Sequence, residues 1–308
     1  MPSSRVFVGV LLVTGAGSFA LDARQSAPPV IRSRVDLVSL SVSVTDRANH
    51  YVSDLEQQDF TVFEEGLPQR VTYFRKTEAP LVLTLLLDAS SSMRLKLATA
   101  QRAAIGFVEQ LGPADVASVL QFGTRVSTLQ ELTRDRNALV NAVRRAVADG
   151  QTALYTAAYV ALRQLGSVTV ADEGEGIRRR VLVVLSDGKD NASVLSFNDV
   201  LDAATRSDAV IYSIALRAPD PFGGSDDDHS VFPLRQLAER TGGRIFVVRD
   251  AEELTDVYRR IHQELQHQYT LAYASGRPPD GSWRRLRVQV TRAGVLARTR
   301  EGYFAPRR

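Results

Sequence analysis

Leu81-Val82-Leu83-Thr84-Leu85-Leu86-Leu87 is an almost unbroken aliphatic run that ends in a carboxylate, Asp88. It lacks the alternation of a half-exposed strand. It therefore reads as a strand buried on both faces, as at the centre of a parallel sheet covered by helices. The rest of the chain has to supply that cover. Asp88 is followed by hydroxyls at alternate positions, Ser90 and Ser92, and a helical pattern begins near Met93. In open α/β sheets, ligands bind beyond the carboxyl ends of the strands. One carboxylate and two hydroxyls thus stand where chemistry is expected, and these hard oxygen donors suit Mg²⁺ or Mn²⁺ better than zinc.

Two later segments extend the set. Gly150-Gln151-Thr152-Ala153-Leu154-Tyr155 places a hydroxyl on a glycine-led loop entering a helix. Arg180-Val181-Leu182-Val183-Val184-Leu185-Ser186-Asp187-Gly188 is a second buried strand ending in a carboxylate and a turn glycine. Taken singly, Asp88–Ser92 also reads as a helix N-cap, Thr152 as a cap and Asp187-Gly188 as a turn. Together, the D-x-S-x-S pattern, the later threonine and the strand-terminal S-D-G resemble the metal-ion-dependent adhesion site of von Willebrand factor type A domains. The resemblance implies metal-contacting roles for Asp88, Ser90, Ser92, Thr152 and Asp187. It also implies Mg²⁺ or Mn²⁺ as cofactor, with Ca²⁺ a further option, and a partner protein or peptide whose carboxylate fills an open coordination position. One position departs from the family pattern: Thr156 stands four after Thr152, where an acidic residue is frequent. This departure is expected to change affinity rather than remove the site. Asp190 reads either as a second carboxylate behind Asp187 or as a plain loop residue.

The remaining residues narrow the function class. The chain has 308 residues, 44% apolar and 24% charged, enough for a sizeable core. Its net charge of +3 is mild and comes without a dense basic run interleaved with aromatics, so nucleic acid is not an expected partner. With no cysteine, thiol catalysis, thiolate metal sites, disulfides and lipoprotein anchoring are excluded. Val6–Thr14 is an apolar run after Arg5, followed by small residues at Ser18 and Ala20. It is shorter than the roughly 20 residues that span a bilayer. Residues 1–20 therefore read as a cleavable signal peptide and 21–30 as a disordered leader, giving a periplasmic or secreted protein with no transmembrane segment in its mature form.

Residues 31–78 and 268–305 both show short alternating strands, such as Val38-x-Leu40-x-Val42-x-Val44 and Leu286-x-Val288-x-Val290. Neither stretch can bury both faces of a sheet alone, so they are expected to form one β-sandwich into which residues 80–266 are inserted. Those inserted residues alternate strands with helices, the latter expected over 95–111, 136–148, 152–165, 198–206, 234–241 and 251–267 with a Gly/Glu loop at 171–176. This is the pattern of a doubly wound, mostly parallel sheet with one antiparallel edge strand. V-T-D and D-F-x-V-x-E-x-G near the start, with D-G-x-W-R-x-L-x-V-x-V and R-x-G-Y-F-A near the end, resemble a VWFA-related family best populated in Acidobacteria.

Loops leaving the carboxyl ends of the strands share a rim with the site. The acidic loop after Val210–Leu216, with Asp220, Phe222, Asp226, Asp227 and Asp228, reads as a partner-binding element, with a second cation site or a plain solvated loop as the alternatives. The chain is therefore expected to be a binding module and not an enzyme. The alternatives are a structural envelope protein with a vestigial metal site and, less favoured, a Mg²⁺-dependent hydrolase. A strand-terminal Asp resembles the nucleophile of haloacid-dehalogenase phosphatases, but that chemistry wants a second acid two positions on, and position 90 is serine. A serine hydrolase is disfavoured because no G-x-S-x-G elbow is present. The histidines His50, His229, His262 and His267 are scattered without ligand spacing.

Overall fold

The computed structural model describes residues 37–76, 79–167, 171–172, 176–187, 190–217 and 227–307. The expected signal and leader segments lie outside these residues, as do Asp220, Phe222 and Asp226; Asp227 and Asp228 are described in their backbone alone. In chain order the first strands are β1 (Leu37–Asp46), β2 (Phe60–Glu64), β3 (Leu67–Gln69), β4 (Val71–Lys76) and β5 (Leu81–Asp88). Then come α1 (Leu97–Glu109), β6 (Val116–Phe122), β7 (Val126–Thr133), α2 (Arg136–Arg144) and α3 (Leu154–Ser167). A small hairpin, β8 (Ala171–Asp172) and β9 (Gly176–Ile177), leads into β10 (Arg179–Ser186), α4 (Phe197–Arg206), β11 (Val210–Leu216) and α5 (Asp227–Arg240). The chain closes with β12 (Ile245–Val248), α6 (Leu254–Gln266), β13 (Tyr269–Ala274), β14 (Trp283–Val290), β15 (Val295–Arg298) and β16 (Gly302–Phe304).

The central sheet has the order β12-β11-β10-β5-β6-β7, parallel throughout except for the antiparallel edge strand β7. β5 and β10 lie side by side in the middle, in register from Leu81↔Arg179 to Leu87↔Leu185. All of β5 is buried, because both of its faces are covered. Leu83, Leu85 and Leu87 face the layer of α1, α2 and α6, while Val82 and Leu86 face α3, α4 and α5. Each such side chain contributes about 1.5–3 kcal/mol on leaving water. The only hydroxyl among them, Thr84, is satisfied across the ladder by Ser118 Oγ at 2.9 Å.

The terminal segments build two antiparallel sheets, β15-β1-β13-β4 and β16-β14-β2-β3, which enclose a core including Val38, Leu40, Val42, Val62, Leu271, Tyr273 and Leu286. β1 pairs with β13 from Leu37↔Ala274 to Val42↔Tyr269. β4, the last strand before the α/β region, pairs with β13, the first strand after it, and the register runs from Tyr269↔Lys76. The chain thus leaves and re-enters one sheet at neighbouring positions, which is the geometric condition for an insertion. Among the described residues no helix is long and apolar enough to cross a membrane.

Several element ends differ from the sequence expectation. The helix expected from Leu95 starts at Leu97, because Ser91–Met93 forms a tight 3₁₀ turn first. The helix expected over 136–148 ends at Arg144: the Gln101 amide bonds the carbonyls of Val143 and Ala146, both at 2.9 Å, and satisfies the helix end. α5 begins before Pro233 rather than after it, since Val231, Leu234, Leu237 and Ala238 all bury on the sheet and packing overrides the local penalty. The stretch read as a loop at 171–176 contains the β8–β9 hairpin.

A candidate metal centre at the carboxyl ends of the central strands

Asp88 closes β5 and Asp187 follows β10, so the two carboxylates leave adjacent central strands at nearly one level. Asp88 is fully buried. Its Oδ1 accepts from the Ser90 backbone N–H at 2.9 Å, and its Oδ2 accepts from Ser186 Oγ at 2.6 Å. Burial pushes the Asp88 carboxyl above the usual range; the bonds from Ser186 and Ser90 pull it down, and the negative charge of Asp187 pushes it up again. Asp187 Oδ1 is buried and has no hydrogen-bond partner among the described residues. Ser90 is buried as well, and its Oγ lies 2.9 Å from Ser92 Oγ.

Thr152 reaches the same rim through its loop. The Ser91 N–H donates to Gly150 O at 2.9 Å, Asp149 N–H to Ala89 O at 2.7 Å, and Ala153 N–H to Gly123 O at 2.9 Å. Gly150 takes φ +77°, a left-handed conformation that favours glycine. At Gly123 a Cβ would fall inside the envelope of the Asp149 carbonyl. The two glycines therefore let three loops approach at backbone distance. Thr152 itself is buried, and its N–H donates to Asn191 Oδ1 at 2.8 Å.

The loop after Asp187 has a role that the sequence reading missed. Asp190 Oδ2 accepts from the Tyr155 N–H at 2.8 Å and Ser193 Oγ from the Thr156 N–H at 2.9 Å, while Thr156 Oγ1 accepts from the Val194 N–H at 3.2 Å. Together with Asn191, these residues cap the open N-terminus of α3 from a distant part of the chain. Asp190 is a cap rather than a carboxylate of the Asp88–Asp187 pair, and Thr156 fastens the capping loop. The Asp-Asn-x-Ser run is rich in capping residues, which is the one sequence signal for this. Ser186, quoted in the S-D-G motif without a role, turns out to hold Asp88. The structure thus brings Asp88, Ser90, Ser92 and Asp187 together, with the Thr152 loop joined to them. The side chains of the acidic loop 220–228 lie outside the described residues.

The donor set can be tested against a cation. Among the described residues there is no cluster of three or more His, Cys, Asp or Glu side chains. Any ion here would draw on two carboxylates and hydroxyls. A buried Asp88 beside a buried Asp187 oxygen, with no basic side chain on either among the described residues, is a like-charge arrangement that a cation would offset. Oxygen-only donors of this kind fit Mg²⁺ or Mn²⁺.

Comparison with known proteins agrees with this architecture. The chain is 27% identical to a UPF0353 protein of Mycobacterium avium over 237 residues, 70% of this chain and 68% of that one. It is 26% identical to a UPF0353 protein of Mycobacterium bovis over 233 residues, again 70% and 68%. A solved von Willebrand factor type A structure from Catenulispora acidiphila superposes with a TM-score of 0.51 at 14% identity, covering 89% of this chain and 74% of that one; at such identity the likeness speaks for the fold alone. The relatives by sequence are mycobacterial proteins, so the resemblance is not specific to the Acidobacteria. The family model of the von Willebrand factor type A domain matches residues 83–260, which carry Asp88, Ser90, Ser92, Thr152 and Asp187, and the chain belongs to that family.

Proposed function

We propose that this protein is an exported binding module that captures an acidic group of a partner protein through a divalent cation held by Asp88, Ser90, Ser92, Thr152 and Asp187. One observation supports this above all others: the buried, unpartnered Oδ1 of Asp187 beside the buried carboxylate of Asp88. Keeping the buried Asp88 carboxylate charged, with the Asp187 carboxylate beside it, costs several kcal/mol unless something compensates. Bound Mg²⁺, Mn²⁺ or Ca²⁺ supplies a positive centre that offsets both charges and can accept an outside carboxylate. Asp88 and Asp187 bring the negative charge, while Ser90, Ser92 and Thr152 add neutral oxygens. With so few charges in the donor set the centre stays electrophilic, and an incoming carboxylate still gains by binding. The apolar run Val6–Thr14 with Ser18 and Ala20 supports export to the periplasm or medium.

Titration calorimetry with Mn²⁺ tests the reading on the wild type and on the Asp88→Ala/Ser90→Ala variant. Saturable binding by the wild type alone is the expected result. Heat of equal size from both proteins, or none from either, would leave a scaffold without its cation and put the structural-protein reading ahead.

A further inference from the structure

The rim around the candidate centre carries an unusual set of exposed side chains. Among the described large apolar residues, the two most exposed are Leu95 at 96% and Val194 at 89%. Leu95 lies three residues after Ser92, on the segment that carries Asp88, Ser90 and Ser92. Val194 lies on the loop that follows Asp187. Leu296 at 71% follows on β15, away from the site, and then Val147 at 66%, which precedes the Asp149–Thr152 loop. Exposed aliphatics scattered singly need no explanation. Here, however, one projects from each of the three segments that carry the proposed donors, and those segments are fastened to one another. Ser91 is bonded to Gly150, Thr152 to Asn191, and Val194 to Thr156. Nothing in the described fold covers these side chains, and each forgoes part of the roughly 1.5–3 kcal/mol that burial would return.

A second observation is independent of the first. Arg94, next to Leu95, and Arg125, on the loop after β6, are exposed, and neither side chain makes an ion pair or hydrogen bond among the described residues. Most other described arginines are engaged, for example Arg292 with Asp54 at 2.7 Å and Arg206 with Asp202 at 2.8 Å. Among the described residues the rim therefore joins exposed aliphatic side chains to two unpaired arginines, with the exposed Asp149 as the acidic residue among them.

We infer that this rim selects, among acidic partners, a segment whose carboxylate is flanked by aliphatic or aromatic side chains, with Leu95 and Val194 covering the apolar neighbours and Arg94 and Arg125 drawing the acidic segment in. The inference rests on the cation-dependent reading above and specifies its partner. Apolar neighbours add affinity by burying area against residues already fixed on rigid loops. The arginines act mainly on the rate of encounter and on its salt dependence.

Selection from a phage-displayed library of random peptides on the immobilised full chain in Mg²⁺, with elution by EDTA, tests this. The expected peptides carry Asp or Glu beside Leu, Ile, Val or Phe. The Leu95→Ser/Val194→Ser variant is expected to bind them about tenfold more weakly, the equivalent of one aliphatic contact, while its Mn²⁺ heat is unchanged. Arg94→Glu/Arg125→Glu is expected to slow association and flatten its salt dependence. EDTA-eluted acidic peptides without an apolar neighbour would overturn the rim and leave the cation site standing. Peptides that resist EDTA would overturn both. A wild-type dimer that Leu95→Ser/Val194→Ser converts to monomer in sedimentation velocity would show the rim to be a contact between copies of this chain, and would also overturn the inference.

Discussion

Ser186 Oγ donates to Asp88 Oδ2 at 2.6 Å, so the residue before one site aspartate holds the carboxylate of the other. This bond locks together the ends of the two central strands and favours the ionised form of Asp88 against the burial that disfavours it. Because burial prevails, the Asp88 pKa in the folded, metal-free protein lies above its unfolded value of 3.8. The folded state then binds the extra proton between those two values, and stability falls as pH rises through that window.

Asp88→Asn removes this burden. In EDTA it is expected to be more stable than the wild type at neutral pH, with the difference vanishing below the unfolded pKa. Urea denaturation across pH measures it, and a difference that does not vary with pH would contradict the burial of an unpaired charge. Saturating Mg²⁺ should stabilise the wild type and leave the variant unchanged.

Asp190→Ala removes the acceptor for the Tyr155 N–H at the start of α3. The loss of a cap costs about 1 kcal/mol, up to about 2 in tight sites. The stability loss should appear in urea titration while Mn²⁺ stoichiometry stays at the wild-type value. Disappearance of Mn²⁺ binding would instead mark Asp190 as a ligand.

Gly123→Ala tests the packing of the loops without touching any proposed donor. Its Cβ would press on the Asp149 carbonyl and reach Ala89 O at 3.4 Å. The Thr152 loop must then move away from the Ala89–Ser92 segment, and Mn²⁺ affinity is expected to fall by about tenfold or more with the global fold retained. Unchanged affinity in calorimetry would mean that Thr152 contributes little.

Glu264 on α6 is fully buried and accepts from Ser43 at 3.1 Å, Tyr51 at 3.0 Å and Tyr212 at 2.7 Å, and it also pairs with Arg298. Ser43 and Arg298 belong to the antiparallel sheets, whereas Tyr212 belongs to the central sheet. Glu264→Ala would strand these donors and Arg298, at a cost of about 3–5 kcal/mol. Trp283 fluorescence, which reports the antiparallel sheets, and far-UV circular dichroism, which weights the helices, should shift together in urea. Separate transitions would show that the network does not couple the two regions.

The same network adds to the alkaline sensitivity of stability, as do the buried Tyr258 and Tyr273 elsewhere. Burial, with Glu264 beside it, pushes the Tyr51 phenol up to about 12, and Tyr212 is raised well above its ordinary value for the same reasons. Unfolded tyrosines ionise near 10, so above that pH the folded state keeps protons that the unfolded state loses, and stability falls as pH rises. Tyrosinate absorbance in the native protein should lag that of the urea-unfolded chain above pH ~10, and Tyr212→Phe should reduce the lag.

How much of this could be read from the sequence depended on the range of the interactions. β5 and β10 were legible because a strand buried on both faces leaves an aliphatic run that needs no partner to be recognised. Asp88, Ser90, Ser92 and Asp187 were legible because they sit at the ends of those runs. The capping of α3 by Asp190, Asn191 and Ser193 was not, since its partners are 35 to 39 residues away and only the folded sheet brings them close. Glu264 left a faint signal: it lies on the apolar stripe with Val257, Ile261 and Leu265, where a surface glutamate does not belong. That the two terminal segments share a sheet followed from their inability to fold alone. Their register did not, because alternation fixes the face of a strand but not its neighbour.

The pairing of Lys76 with Tyr269 has a consequence for how such proteins arise. The two points where the frame opens are already joined across a ladder, so a short turn in place of the α/β region would regenerate an ordinary hairpin. Frame and insert can therefore be inherited as separate cassettes. An eight-stranded frame of this kind keeps every strand pairing of its own when its cargo is changed, but a new insert must bring its own acceptor for Ser43, Tyr51 and Arg298 in place of Glu264.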